Sequence, residues 1–296
     1  MKISLVIPCY NGEKYLEATI NSVLNQTKKP NEILIIDDCS KDKSLEIIKQ
    51  YSQKQKKIKL IQNITNKGLS ETRNVGIQNS KVDIIVFIDV DCVADKDLVK
   101  NLAEIYKKDK EKKIGAIGGY GIESNISTVY DKYRKEYMTQ AFNFKEGLTE
   151  VNWFFGLCCS FRKKVLVEAG LFDPLFRTNG EDADISMRIK KLGYQVFYSK
   201  NTFVYHYKQD NLRSLLRTIY NGLFWGRLAK YKNKDLQTQI KEKNYLINGL
   251  SLTIGPIIKD LFKLRFRFLF IDVITVYYKF EALFLFQILK NKLLKK

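Results

Sequence analysis

Three Asp-x-Asp spacings stand out in this chain: Asp89-Val90-Asp91, Asp95-Lys96-Asp97 and Asp182-Ala183-Asp184. Two carboxylates at that spacing suit Mg²⁺ or Mn²⁺, hard cations that combine one or two carboxylates with phosphate oxygens and water. A cation held there would neutralise charge developing on a departing diphosphate, which is Lewis-acid chemistry. Position separates the three pairs. Only Asp89 and Asp91 close an apolar run, IIVFID, whose end would place one carboxylate in a crevice and keep the next within reach. Asp95 and Asp97 fall in a loop or first helical turn, where solvated acids are ordinary. Glu181 and Asp182 follow Asn179-Gly180 at a helix start, where acids favour the helix dipole whatever else they do.

The remaining reactive residue types say less. His206 is the sole histidine, set between Tyr205 and Tyr207, and a half-buried packing role is open to it. Five cysteines (Cys9, Cys39, Cys92, Cys158, Cys159) show no C-x-x-C spacing, so with one histidine a structural zinc site is not expected. They read as reduced thiols packed as small apolar groups.

The elements that must carry these residues follow from periodicity. Continuous apolar runs at residues 3–8, 32–37 and 84–89, with a shorter one at 58–62, read as strands covered on both faces. Between them, Leu16, Ile20, Val23 and Leu24 recur at helical spacing behind an Asn11 cap. Leu45, Ile48 and Tyr51 do so behind Ser40, and a third helix is expected over 70–78. This alternation predicts a doubly wound, mostly parallel sheet. Its ligands bind at the carboxyl ends of the strands, where Asp37, Asp38 and Asp89 collect. Further on, strands are expected at 114–120, 156–161 and 195–199, helices at 163–169 and 181–192, and a mobile or helical stretch at 125–146.

At 296 residues with 45% hydrophobic and 28% charged composition, the chain is long enough to bury a full core and is not of the disordered class. Its formal charge of +19 fits nucleic acid, anionic membrane or acidic substrates alike. The opening MKISLVIPCYNG is broken too early by Pro8 for a secretory signal or a span, and reads as a first strand with no sign of export.

Five segments in order, VIPCYNGEKYLEATINSVLNQT, IIDDCSKD, NKGLSETRNVGI, FIDVDC and NGEDADISMRIKKLGY, together resemble family 2 glycosyltransferases with the GT-A fold, over residues 1–226. The resemblance implies a metal-dependent, inverting transfer of a sugar from a nucleoside-diphosphate sugar, UDP-linked by family tendency, to a hydroxyl. It implies that Pro8 and Tyr10 line the nucleoside pocket and that Asp38 accepts a hydrogen bond from the base. Lys67 and Arg73 would approach the base or diphosphate, as cationic donors suit an anion. Asp89 would touch ribose or metal, Asp91 would ligate Mn²⁺ or Mg²⁺, and His206 would be a further ligand. Asp182 matches the catalytic base with Glu181 supporting it. Trp153 and Phe155 would offer an acceptor or sugar platform, with an aromatic core cluster as the other reading.

Past about residue 231 the composition shifts. Residues 231–296 carry 13 Lys and Arg against 5 Asp and Glu, with apolar stretches at 245–258 and 268–289. The first holds Gly255-Pro256, and the second is interrupted by Asp272, Lys279 and Glu281, so neither is a clean span. Interfacial helices drawn to anionic lipid fit better, with a soluble amphipathic pair as the alternative. The expected organisation is therefore an α/β GT-A-type domain at 1–230 and a helical, membrane-associating tail at 231–296. The expected partners are the nucleotide sugar, a saccharide or lipid-linked acceptor and a membrane surface, at the inner face of the cell membrane. Nucleic acid is not expected, since no zinc-finger, RNP or helix-turn-helix signature appears. Two other readings remain: a nucleotidyltransferase on a related sheet, although CYNGEKY offers one glycine where a phosphate loop would sit, and a non-catalytic membrane-binding module.

Overall fold

The computed structural model describes residues 1–138, 147–233 and 256–293. They divide into two compact units, one formed by residues 1–124 and 140–208, the other by 125–139 and 209–296.

The first unit is built on a nine-stranded sheet in the order β3-β2-β1-β4-β8-β6-β9-β5, with β7 also paired to β9. The strands are β1 (Ile3–Cys9), β2 (Glu32–Asp37), β3 (Ile58–Gln62), β4 (Ile84–Ile88), β5 (Cys92–Ala94), β6 (Ile114–Glu123), β7 (Leu148–Glu150), β8 (Cys158–Arg162) and β9 (Gln195–His206). Every residue of β1, β2 and β4 is buried, as their unbroken apolar runs require when helices cover both faces. These strands and β3 pair in parallel. Beside β4 the sheet changes character. There β8 runs antiparallel to both β4 and β6, while β6 and β9 pair in parallel and β5 and β7 run antiparallel to β9. The expectation of a mostly parallel sheet therefore holds on one side of β4 and gives way to a mixed sheet on the other.

Helices α1 (Glu13–Leu24), α2 (Ser44–Lys54), α3 (Leu69–Asn79), α4 (Leu98–Lys108), α6 (Lys163–Glu168) and α7 (Glu181–Lys191) complete this unit. One core lies under α1 and α4 and includes Leu5, Leu16, Ile20, Val86, Leu98 and Leu102. The other lies beneath α3, α6 and α7 and is centred on Phe87, Phe161 and Phe172, whose rings meet edge to face.

Two helix starts differ from expectation. Gly12, not Asn11, caps α1, while Asn11 sits at φ 51° with its side-chain oxygen accepting from Lys41 N. Ser40 lies ahead of α2 and its hydroxyl accepts from Asn11 N instead. Both side chains tie two loops together, a tertiary use that competes with capping.

The second unit contains α5 (Val129–Tyr137), α8 (Leu212–Lys232), a helical segment at 256–262 and α9 (Phe266–Leu293). Reciprocal capping boxes start α5 (Thr128 with Asp131) and α8 (Asn211 with Ser214). Tyr133, Leu215, Ile219 and Ile271 form its core. The expected boundary at 230/231 falls inside α8. The apolar face of that helix packs against α5 and α9, so the compact unit begins at Gln209 and takes in 125–139 from earlier in the chain. Of the two apolar tail stretches, most of 245–258 lies outside the described residues. The stretch at 268–289 lies within α9, and no described helix is long and apolar enough to cross a membrane.

Candidate active site

The site residues gather where strands of the first unit end. β4 stops at Ile88, so Asp89 begins a turn into β5, closed by Cys92 N donating to Asp89 O at 3.0 Å. Thr19 Oγ1 donates to Val90 O at 2.7 Å, and Tyr207 N donates to Asp91 O at 2.8 Å. The turn is thereby held from α1 on one side and from the end of β9 on the other.

Register then explains what meets there. Cys92 stands opposite His206 in the β5/β9 pair, and His206 is in register with Glu123 in the β6/β9 pair. Directly opposed strand residues project to the same face. His206 Nε2 lies 3.5 Å from Asp91 Oδ2, and its Nδ1 lies 3.1 Å from Glu123 Oε1. Burial would lower the imidazole's pKa, but the two flanking carboxylates hold it up at about 9. Burial also works to raise Asp91, yet His206 and Lys208 outweigh it and leave Asp91 at about 2. Asp91, Cys92 and His206 form a group of potential ligands whose donor atoms all lie within 4.8 Å of one another. A carboxylate and an imidazole at that separation fit a divalent cation of the Mn²⁺ type.

Asp89 takes a different part. Its Oδ1 accepts from Arg73 Nη2 at 2.8 Å, while burial raises its pKa to about 6 against the pull of that guanidinium. Arg73, on α3, is completely buried. It also donates to Glu181 Oε1 at 2.8 Å and to Gly156 O at 3.0 Å, beneath the rings of Phe87 and Phe172. Burial works against its charge, but Asp89 and Glu181 together raise its pKa. The expected reach of Arg73 to a base or diphosphate is not what the geometry shows, because its cationic face is already occupied by the chain's own acids. What Arg73 joins is the Asp89 turn and the start of α7.

α7 begins after Gly180, which sits at φ 87° where a side chain would be strained. Glu181 is buried against Arg73, and burial raises its pKa. Asp182 next to it is partly exposed. Its Oδ2 accepts from Gly156 N at 2.8 Å and its Oδ1 from Ala183 N at 2.7 Å. Burial first, then the neighbouring Glu181 charge, push Asp182 up to about 7. A carboxylate poised near neutrality and fixed by two backbone donors has the properties of a general base.

Gly156 was not singled out by sequence, yet it touches both networks. A Cβ there would lie 3.2 Å from Arg73 Nη1 and 3.3 Å from Asp182 Cβ. Just before it, Phe154 is buried against Gly118, while Trp153 and Phe155 remain partly exposed with ring centroids 5.0 Å apart.

The residues expected around a nucleoside separate. Pro8 is buried in β1 and Tyr10 beyond it is 49% exposed. Asp38 is buried, and its carboxylate accepts from Asn63 Nδ2, Lys67 N and Gly68 N at 2.8–2.9 Å. Its visible task is to fasten the loop into α3, from which the Lys67 side chain emerges exposed. Glu123 and Cys92 were missed as well. The signal for both lay in strand register, which one sequence does not display.

Comparison with known proteins places this architecture. The fold matches that of Staphylococcus aureus TarS in complex with UDP-GlcNAc (TM-score 0.57, 22% identity, 85% of this chain and 76% of that one). It also matches the mannosyltransferase PcManGT from Pyrobaculum calidifontis in complex with GDP-Man and Mn²⁺ (TM-score 0.64, 15% identity, 100% and 88%). The mixed sheet with its acidic strand-end turn is thus of the GT-A class. The sequence model of glycosyl transferase family 2 matches residues 4–170, and the chain belongs to that family. Among curated relatives, it is 30% identical over 224 residues to glycosyltransferase GlyA of Streptococcus pneumoniae, covering 71% of this chain and 31% of that protein. It is 28% identical over 200 residues to poly-beta-1,6-N-acetyl-D-glucosamine synthase of Staphylococcus aureus, covering 66% of this chain and 47% of that one. The chain spans less than half the length of these relatives. Membership of this family sets aside the nucleotidyltransferase reading.

Proposed function

We propose that this chain transfers a sugar, with inversion, from a nucleoside-diphosphate sugar to a hydroxyl acceptor. The observation that carries the reading is the Arg73 bridge. It ties the turn bearing Asp89 and Asp91 to the helix start bearing Glu181 and Asp182, so donor-side and acceptor-side carboxylates are held by one buried cation.

Asp91 and His206 would hold Mn²⁺ or Mg²⁺, with Asp89 beside them, and the ion would supply charge neutralisation at the departing diphosphate. UDP is the favoured carrier, consistent with the UDP-GlcNAc complex of TarS. Pro8, Tyr10 and Lys67 flank the nucleoside, with Asp38 shaping the loop that carries Lys67. Asp182 takes the proton of the acceptor hydroxyl as that oxygen attacks the anomeric carbon from the face opposite the nucleotide. Gly156 N and Ala183 N hold the carboxylate in place, and Glu181 keeps its pKa high. Trp153 and Phe155 form the sugar platform.

The acceptor is a lipid-linked or surface-glycan precursor, met at the inner face of the cell membrane. Support comes from the second unit, where Phe262, Leu264, Phe266, Phe270, Val273 and Tyr277 are each at least 60% exposed. Lys263 and Arg267 are interleaved with them, the composition of a helix that lies on an anionic bilayer.

The test is a melting series with UDP, GDP and dTDP, each with and without Mn²⁺, because a ligand that binds the folded state raises Tm by mass action. A Mn²⁺-dependent rise with a nucleoside diphosphate, lost in Asp91→Ala and kept in Asp182→Asn, is the expected result. Equal loss in both variants overturns the assigned roles.

A further inference from the structure

The acidic turn continues directly into a cysteine, Asp89-Val90-Asp91-Cys92, and strand pairing sets that cysteine opposite the one histidine. Resting on the metal-dependent reading above, we propose that Cys92 Sγ is a third protein donor to the cation site, making it a carboxylate–imidazole–thiol set that takes thiophilic divalent ions such as Zn²⁺, Cd²⁺ or Co²⁺.

Geometry is the first argument. The Asp91 carboxylate stands between the two softer groups: Cys92 Sγ donates to Oδ1 at 3.7 Å, and Oδ2 lies 3.5 Å from His206 Nε2. A tetrahedral ion with metal–ligand bonds of about 2.0–2.3 Å holds its donors about 3.3–3.8 Å apart. The sulfur and the imidazole each lie near that distance from one of the two Asp91 oxygens, so a small turn of the carboxylate presents one oxygen to an ion shared with both. All three donor atoms lie within 4.8 Å of one another, the one such group among the described residues.

Preorganisation is the second. β5 and β9 fix Cys92 and His206 on one face, and Glu123 accepts from the far ring nitrogen. That second contact keeps Nδ1 protonated and turns Nε2 toward the ion, the outer-shell arrangement typical of imidazole ligands. Cys9, Cys158 and Cys159 are equally buried but belong to no such group of donors.

Chemistry then sets the consequence. Thiolate donors favour Zn²⁺ and its soft neighbours, whereas carboxylate and water suit Mg²⁺ and Mn²⁺. On binding a thiophilic ion the Sγ–H bond breaks, a sulfur–metal bond forms, and the proton passes to buffer. With Mg²⁺ the thiol keeps its proton and stays outside the coordination sphere. One site thus has two modes, oxygen-rich for Mg²⁺ and sulfur-bearing for Zn²⁺.

The experiment is a Co²⁺ titration of the full chain followed in the near ultraviolet, alongside Tm shifts with Mn²⁺, Mg²⁺ and Cd²⁺. Expected is a thiolate-to-cobalt charge-transfer band that Cys92→Ser abolishes and Cys39→Ser retains. Cys92→Ser should weaken Cd²⁺ about 10-fold or more while leaving the Mg²⁺ shift unchanged. Should Cys92→Ser fail to fold, the wild-type and Cys39→Ser spectra decide. Cobalt binding without a sulfur band, or a band that disappears with Cys39 alone, overturns the role of Cys92. A Mn²⁺ shift without the band sinks this proposal only, whereas no shift with any cation sinks the metal reading beneath it.

Discussion

Asp182 combines two opposing influences, and both are measurable. Its two backbone hydrogen bonds stabilise the carboxylate, but burial and Glu181 win and place its pKa at about 7. A base must be unprotonated to work, so kcat should fall as pH drops through that value. Asp182→Asn should remove about 10²–10⁴-fold of turnover with little change in the KM for donor. The same shift has a stability sign. A folded-state pKa raised from 3.8 means the folded chain holds this proton more tightly, so that contribution is present in acid and lost as pH rises toward 7. Asp182→Asn should therefore raise Tm at pH 8 more than at pH 5, and equal gains at both would contradict the assignment. At Arg73 the expected cost is larger. Arg73→Met leaves Asp89 and Glu181 facing each other without their cation, a loss of about 3–5 kcal/mol in denaturant unfolding. Arg73→Lys should not restore it, because a single ammonium cannot reproduce the fork that reaches two carboxylates and Gly156 O.

At the scale of elements, the site depends on where backbones approach one another. The loop before β8 lies so close to α3 and α7 that a Cβ at residue 156 would press on Arg73 at 3.2 Å and on Asp182 at 3.3 Å. Gly156→Ala should leave the fold intact but displace the Asp182 carboxylate, lowering kcat by about 10-fold to 100-fold. In the β6/β9 pair, Glu123 supports His206 from outside the ligand group. Glu123→Ala should weaken Mn²⁺ by about 10-fold to 100-fold, readable as a higher Mn²⁺ concentration for half-maximal Tm shift. The reversed strand β8 matters for the same reason. It carries Gly156 to the edge of β4, a placement that a wholly parallel sheet would not offer.

For the molecule as a whole, the two units differ in character. The first carries the candidate site, and the second exposes aromatic and aliphatic side chains beside basic ones. Co-sedimentation with vesicles containing anionic lipid should exceed that with neutral vesicles and weaken as salt screens the attraction. Equal recovery in the supernatant with both would refute the membrane half of the proposal.

By itself, the sequence determined the central parallel strands, the helices that connect them and which acids stand at strand ends and helix starts. Those features are written in local periodicity: ISLVIPC, EILIID and IIVFI are apolar throughout because both faces of each strand are covered. It also carried the family motifs, which span most of the first unit. Tertiary structure alone decided that Arg73 turns inward to join two acids, one 108 residues and the other 16 residues away from it in the chain. It alone set Cys92, His206 and Glu123 in a row across three strands, and drew residues 125–139 into the second unit. Pairing partners and burial are long-range properties, fixed only when distant segments compete for the same neighbours. A local pattern can announce a strand, but not what will lie beside it.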